Sequence, residues 1–130
     1  MNEQRVYRPH IDGAWPGSGI DPATGAFVDD IHQGKCVSKL TFLIYLNGAD
    51  DDGDPGAALA FAGGATTFYQ PDGHALGHIH ARSVQPKTGA VLCFPHGDIG
   101  SLVHEGSAVV GTGGAPAAKY VIRSDVIFEA

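Results

Sequence analysis

The chain has little cysteine, little positive charge and no long apolar run, and each shortage argues against a class of function. Cys36 and Cys93 are the only two cysteines in 130 residues. Two cannot build a disulfide framework, and their spacing is not that of a Cys-x-x-Cys metal or redox pair, so free thiols in a reducing cytosol are expected. Lys and Arg number eight against fourteen Asp and Glu, a formal net charge of −6. The eight are scattered, leaving no basic patch to neutralise phosphates, which argues against nucleic acid as a main partner. The longest apolar run, LTFLIYL, is far too short to span a bilayer. MNEQRVYRPH carries no apolar signal-peptide core. The expected location is cytoplasmic, with no membrane partner.

What the chain does have is glycine (19), proline (8) and a 43% hydrophobic content. That composition is globular, and the length fits a single domain over 1–130. Frequent turn residues between short apolar stretches favour a β-rich architecture. RVYRPHI reads as a short strand, followed by an irregular excursion from Gly13 to Gly34. CVSKLTFLIYLN is the strongest strand signal, rich in β-branched and aromatic residues and too apolar for an edge. GGATTFYQP and HIHARSVQP read as two strands around DGHALG, and GAVLCFP as a buried strand. SLVHEGSAVVGT reads as a hairpin-like pair and KYVIRSDVIFE as the last strand. The pattern gives roughly seven or eight strands and little helix, hence a sandwich or jelly-roll barrel.

The alternating Asp50, Asp52 and Asp54 are spaced as calcium ligands can be. Pro55 and Phe61 stand where an EF-hand needs its Gly and Glu, so a solvated turn is the better reading.

The chemistry is carried by YRPHIDGAW. Side chains two apart in a strand share a face, so His10 and Asp12 reach the same side. A third candidate, His104, lies downstream in SLVHEGSAV. Two histidines and one carboxylate can take one face of an octahedral metal. Three positions stay open, as in non-haem Fe(II) sites, and can hold a bidentate 2-oxo acid and O2.

The order YRPHIDGAW, SKLTFLIYLN, GGATTFY, VQPKTGAVLCFPH, LVHEGSAVVG and KYVIRSDVIF resembles the catalytic domain of the prolyl 4-hydroxylase-like Fe(II)/2-oxoglutarate-dependent dioxygenases. The resemblance covers nearly the whole chain. It implies a double-stranded β-helix, a cupin-like barrel, with His10, Asp12 and His104 as iron ligands. It further implies a basic residue for the distal carboxylate of 2-oxoglutarate, at Lys119, with Arg123 as the fallback on the same strand face. The Gly-rich GTGGAPAA lengthens the gap between His104 and this residue relative to the family. Tyr45 resembles the tyrosine that hydrogen-bonds the same carboxylate, and Tyr7 lines the pocket. The implied reaction consumes O2 and 2-oxoglutarate, releases succinate and CO2, and hydroxylates a peptidyl-prolyl-like or small-molecule substrate, with ascorbate as reductant. Only nine residues precede His10, where relatives carry further elements. A domain without those elements would expose a sheet edge, which invites homodimerisation.

Two other readings compete. His78 and His80 form the His-x-His pair of a cupin, a metal protein that need not be an oxygenase, although ARSVQ lacks the Glu a cupin adds. The barrel could also be a catalytically silent binding module. His74, His78 and His80 are placed near the pocket mouth, Arg82 is a candidate substrate contact, and Trp15 covers the site or plugs the core. His32 and His96 have no assignable partner.

Overall fold

The computed structural model describes residues 6–48, 61–71, 77–97, 100–111 and 118–129. The acidic stretch with Asp50, Asp52 and Asp54, together with His74 and most of GTGGAPAA, lies outside them. The described residues form strands and no helix. They are β1 (Tyr7–His10), β2 (Gly19–Ile20), β3 (Phe27–Val28), β4 (Cys36–Tyr45), β5 (Phe61–Gly63), β6 (Thr66–Pro71), β7 (Ile79–Val84), β8 (Val91–Pro95), β9 (Val103–Gly106), β10 (Val109–Gly111) and β11 (Val121–Glu129). The protein is mainly β, with antiparallel sheets.

The apolar, β-branched β4 sits at the centre of a three-stranded sheet ordered β11-β4-β8. Thr41 stands opposite Asp125 on one side and Phe94 on the other. GAVLCFP, expected as a buried strand, proves to be the far edge of this sheet. Val91 is 53% exposed and Cys93 is exposed, while Phe94 turns inward and is buried. A one-residue bulge interrupts β4: Leu40 pairs with Val126 and Ser38 with Ile127, so Lys39 is the extra residue. A bulge resets the alternation of faces. Ser38 and Thr41, three apart, therefore both turn inward and are both buried.

The second sheet has four strands ordered β1-β9-β6-β7. Its pairings place His10 opposite His104, His104 opposite Phe68, and Phe68 opposite Arg82. Residues directly opposite share a face, so these four make one row across the sheet. The Phe68 ring meets Phe94 of the first sheet edge-on at 5.0 Å between centroids. This contact packs the two sheets together.

SLVHEGSAVVGT is not a hairpin. β9 pairs with β1 and β6, whereas β10 pairs with β5. The register of β6 against β9 continues unchanged into that of β5 against β10 across a short break. At the break Ser107 N–H donates to Ala65 O and Gly64 N–H to Ala108 O. Both strands thus bend together as one ladder. Gly63 and Gly64 make the bend with φ of 75° and 69°, values that L side chains rarely adopt. A Cβ on Gly63 would lie 2.3 Å from Ala108 O. The expected irregular excursion holds only the two-residue β2-β3 ladder.

The space between the sheets is unusually polar. Among the described residues Tyr45, Phe61, Ala65 and Phe94 are buried apolar side chains, yet Asp12, Ser38, Thr41, Thr66, His96 and His104 are buried as well. Buried polar groups need partners, and those partners define the site below. Because Phe94 also packs on His104, Phe94→Ala is expected to cost about 3 kcal/mol. Urea denaturation would show it as a lower midpoint at unchanged slope. A loss below about 1 kcal/mol would mean that the sheets do not close on this ring.

Candidate metal centre

His10 ends β1, and Asp12 lies just beyond the strand rather than within it. His104 comes from the neighbouring β9. The pairing of His10 with His104 sets their rings 4.3 Å apart between centroids. Asp12 folds over both: its Oδ1 lies 3.3 Å from His10 Nε2 and its Oδ2 3.6 Å from His104 Nε2. Three donor atoms of the group lie within 4.8 Å of one another, so it could hold a metal ion.

The second nitrogen of each ring fixes the chemistry of the first. His10 Nδ1 lies 2.8 Å from Arg8 O and His104 Nδ1 2.9 Å from Leu102 O. A carbonyl oxygen only accepts, so each Nδ1 carries a proton. A ring that is neutral then presents an Nε2 lone pair, as a metal ligand must. Both lone pairs point toward a carboxylate. Acceptors so arranged repel unless a positive charge lies among them, and ligating histidines characteristically hold their other N–H in this way. The residues fit a divalent cation, and two imidazole nitrogens with one carboxylate suit the Fe(II) class.

Asp12 is 7% exposed. Burial raises its carboxyl pKa, but the Thr41 hydrogen bond outweighs it together with the charges of Arg123, His104 and His10, holding the group below its ordinary value. Thr41 donates to Asp12 Oδ2 at 2.6 Å, and Arg123 Nη2 lies 3.4 Å from Oδ1. Arg123 is shared with Asp125, at 3.6 Å.

A cavity of about 240 Å³ opens over the group. Tyr7, His10, Asp12, His104, Lys119 and Arg123 reach it, and Leu43, Phe94 and Val121 form its apolar wall. Lys119 enters from just before β11. Its Nζ donates to Gly64 O at 2.6 Å and lies 5.1 Å from the centre of the Tyr45 ring. It forms no ion pair among the described residues. Tyr45 sits behind Lys119, and its hydroxyl meets Thr66 Oγ1 at 2.8 Å. Tyr7 packs edge-on against His10 at 4.5 Å.

Of the residues singled out in the sequence, the structure thus gathers Tyr7, His10, Asp12, His104, Lys119 and Arg123 around one cavity, with Tyr45 directly behind it. His78 and His80 lie in and beside β7, on the far side of β6 from β9, and join no cluster of metal-ligating residues among those described. Arg82 is exposed at the end of the cross-sheet row. Trp15 is 43% exposed, and its backbone N–H donates to Ser38 Oγ. A larger open depression of about 750 Å³ beside His32, Lys35, Cys36 and Glu129 lies apart from this centre.

His96 has partners after all. It is 3% exposed, with Nε2 at 2.8 Å from Ser38 Oγ and Nδ1 at 2.7 Å from Thr41 Oγ1. Those partners are more than fifty residues away in sequence, and no local pattern announces them. The chain matches no protein family, no curated protein and no solved structure at a significant level. No helix among the described residues is long and apolar enough to cross a membrane.

Burial holds the Lys119 ammonium below the ordinary lysine value of 10.5. The folded protein therefore releases this proton before the unfolded chain does, and stability rises with pH between the lowered value and 10.5. Lys119→Met is expected to remove that alkaline rise, measured by denaturant midpoints through the window. The same slope in both proteins would show the ammonium to be fully solvated.

Proposed function

We propose that the chain is an Fe(II)- and 2-oxoglutarate-dependent dioxygenase on a double-stranded β-helix, hydroxylating a peptidyl-prolyl-like or small-molecule substrate. The observation that carries this reading is the meeting, in one cavity, of a His-Asp-His donor set with a half-buried ammonium that has no acidic partner among the described residues. A cation site needs only the first. The ammonium adds a requirement for an anion, and a ligand with a chelating end and a distal carboxylate meets both.

His10, Asp12 and His104 would hold Fe(II). When bound with O2 and 2-oxoglutarate, the metal supplies the oxidising chemistry: a substrate C–H becomes C–OH, and 2-oxoglutarate loses CO2 to become succinate, each product taking one oxygen atom. Ascorbate would return stray Fe(III) to Fe(II).

The chain's own residues do the rest. Lys119 pairs with the distal carboxylate, in a place where an unpaired charge would be costly to bury. The Tyr45 ring supports the ammonium from behind. Arg123 is already shared between Asp12 and Asp125, which leaves Lys119 the better anchor. Leu43, Phe94 and Val121 give the cavity an apolar wall. Tyr7 holds the His10 ring by its edge.

The test is succinate formation from 2-oxoglutarate by Fe(II)-loaded protein given O2 and ascorbate. Wild type is expected to turn over slowly without substrate. His10→Ala and His104→Ala are expected to lose metal affinity by about 100-fold or more, beyond the usual effect of outer partners, and to form no succinate. Lys119→Met is expected to bind metal normally but to require far more 2-oxoglutarate. Triad-dependent metal binding without succinate would make the barrel a silent metal-binding module. Metal binding that survives both alanine variants would sink the assignment and turn attention to His78 and His80.

A further inference from the structure

We infer that His96 is a positioning residue that aims the single Thr41 proton at Asp12, and so sets the carboxylate for its cation; this rests on the metal-binding reading above. As a carboxylate offered to a cation, Asp12 only accepts. Thr41 has one hydroxyl proton, and the 2.6 Å bond to Asp12 Oδ2 uses it. Thr41 Oγ1 can therefore only accept from His96, 2.7 Å away, so His96 carries its proton on Nδ1. Nε2 is then free to accept from Ser38 Oγ at 2.8 Å, while Ser38 Oγ accepts the Trp15 N–H at 2.7 Å. Every donor has one acceptor, and the chain runs one way: Trp15 to Ser38 to His96 to Thr41 to Asp12.

The environment favours this direction. Asp125 Oδ1, a buried oxygen without a hydrogen-bond partner, lies 4.0 Å from His96 Nδ1. Its negative charge favours a proton on that nitrogen, and Arg123 Nη2 lies 3.6 Å from the same oxygen. Had His96 presented a lone pair at Nδ1, the Thr41 proton would have two competing acceptors. Asp12 would then be free to turn away from His10 and His104.

Isosteric substitutions separate aiming from mere packing. An asparagine amide nitrogen overlies the imidazole Nδ1 and can still donate to Thr41. A glutamine reaches the Nε2 position and leaves Thr41 without its donor. Ser38→Ala cuts the far end of the chain but leaves the donor in place. Co(II) binding, followed by its visible absorption, serves as the probe. We expect His96→Gln to bind Co(II) about 10-fold more weakly, with His96→Asn and Ser38→Ala within about 2-fold of wild type, whatever their melting temperatures. Equal affinity in all four proteins, or losses that follow melting temperature alone, would overturn the inference.

A second readout needs no metal. ¹⁵N NMR of the imidazole nitrogens in the metal-free protein is expected to show His96 with its proton on Nδ1, and a proton on Nε2 alone would overturn the inference directly. Wild-type protein that fails to bind Co(II) would remove the metal-binding reading, and with it the role assigned here. Wild-type binding with unaffected variants would remove only the role of His96.

Discussion

Asp12 is buried, its carboxyl is held below its ordinary pKa, and two imidazole Nε2 atoms lie within 3.6 Å of it, an arrangement that is stable only if positive charge, a proton's or a cation's, lies among the three. Desolvation alone would drive such a carboxylate to take up a proton. Three kinds of compensation oppose this. The Thr41 hydroxyl satisfies one oxygen, the Arg123 guanidinium lies near the other, and the histidines supply a place for a cation. The first two come from the β11-β4-β8 sheet and the histidines from the β1-β9-β6-β7 sheet. The site therefore exists only when the sheets are packed together, and the packing is tolerable only because the site compensates its charge.

That dependence explains the many buried polar groups among the described residues. A sandwich of this length would ordinarily fill its middle with aliphatic side chains. Here Phe94 and Phe68 hold the sheets together next to His104, and among the described residues Tyr45, Phe61 and Ala65 share the buried space with hydroxyls, imidazoles and a carboxylate. Stability is correspondingly concentrated in a few rings. The bent ladder of β5-β6 against β9-β10 serves the same end. A straight β9 would carry the backbone after Gly106 directly onward, whereas the bend at Ser107 and Ala108 redirects it beside Gly63 and Gly64, the latter facing Lys119.

How much of this was legible in the sequence depended on range. The central β4 was readable because a run of β-branched and aromatic residues states its own environment. The His10, Asp12 and His104 group was readable because the residue types are chemically unusual together, although Asp12 reaches the group from beyond the strand and not along its face. SLVHEGSAVVG misled for a physical reason. Two short apolar pieces around Gly-Ser look the same whether the chain reverses there or merely bends, and only the partner strand distinguishes the cases. GAVLCFP misled likewise, since a run apolar enough for a central strand can also cover an edge. His96 was invisible because its partners lie on β4, and because the bulge at Lys39 that turns both of them inward leaves no mark in the periodicity.

The bulge also accounts for the specificity of the polar chain. Ser38 and Thr41 could not flank one imidazole on a regular strand, where residues three apart point to opposite faces. With Lys39 looped out they do, and His96, two residues after the inward Phe94, falls between them. A one-residue slip of β4 against β8 would take Ser38 and Thr41 away from both buried His96 nitrogens. Unmet buried groups cost more than met ones return, so the chain penalises wrong registers more strongly than it stabilises the right one. The bonds that join Ser38, His96, Thr41 and Asp12 thus favour one alignment of the sheet that carries Thr41. The register of β4 and the orientation of the Asp12 carboxylate meet in one set of hydrogen bonds.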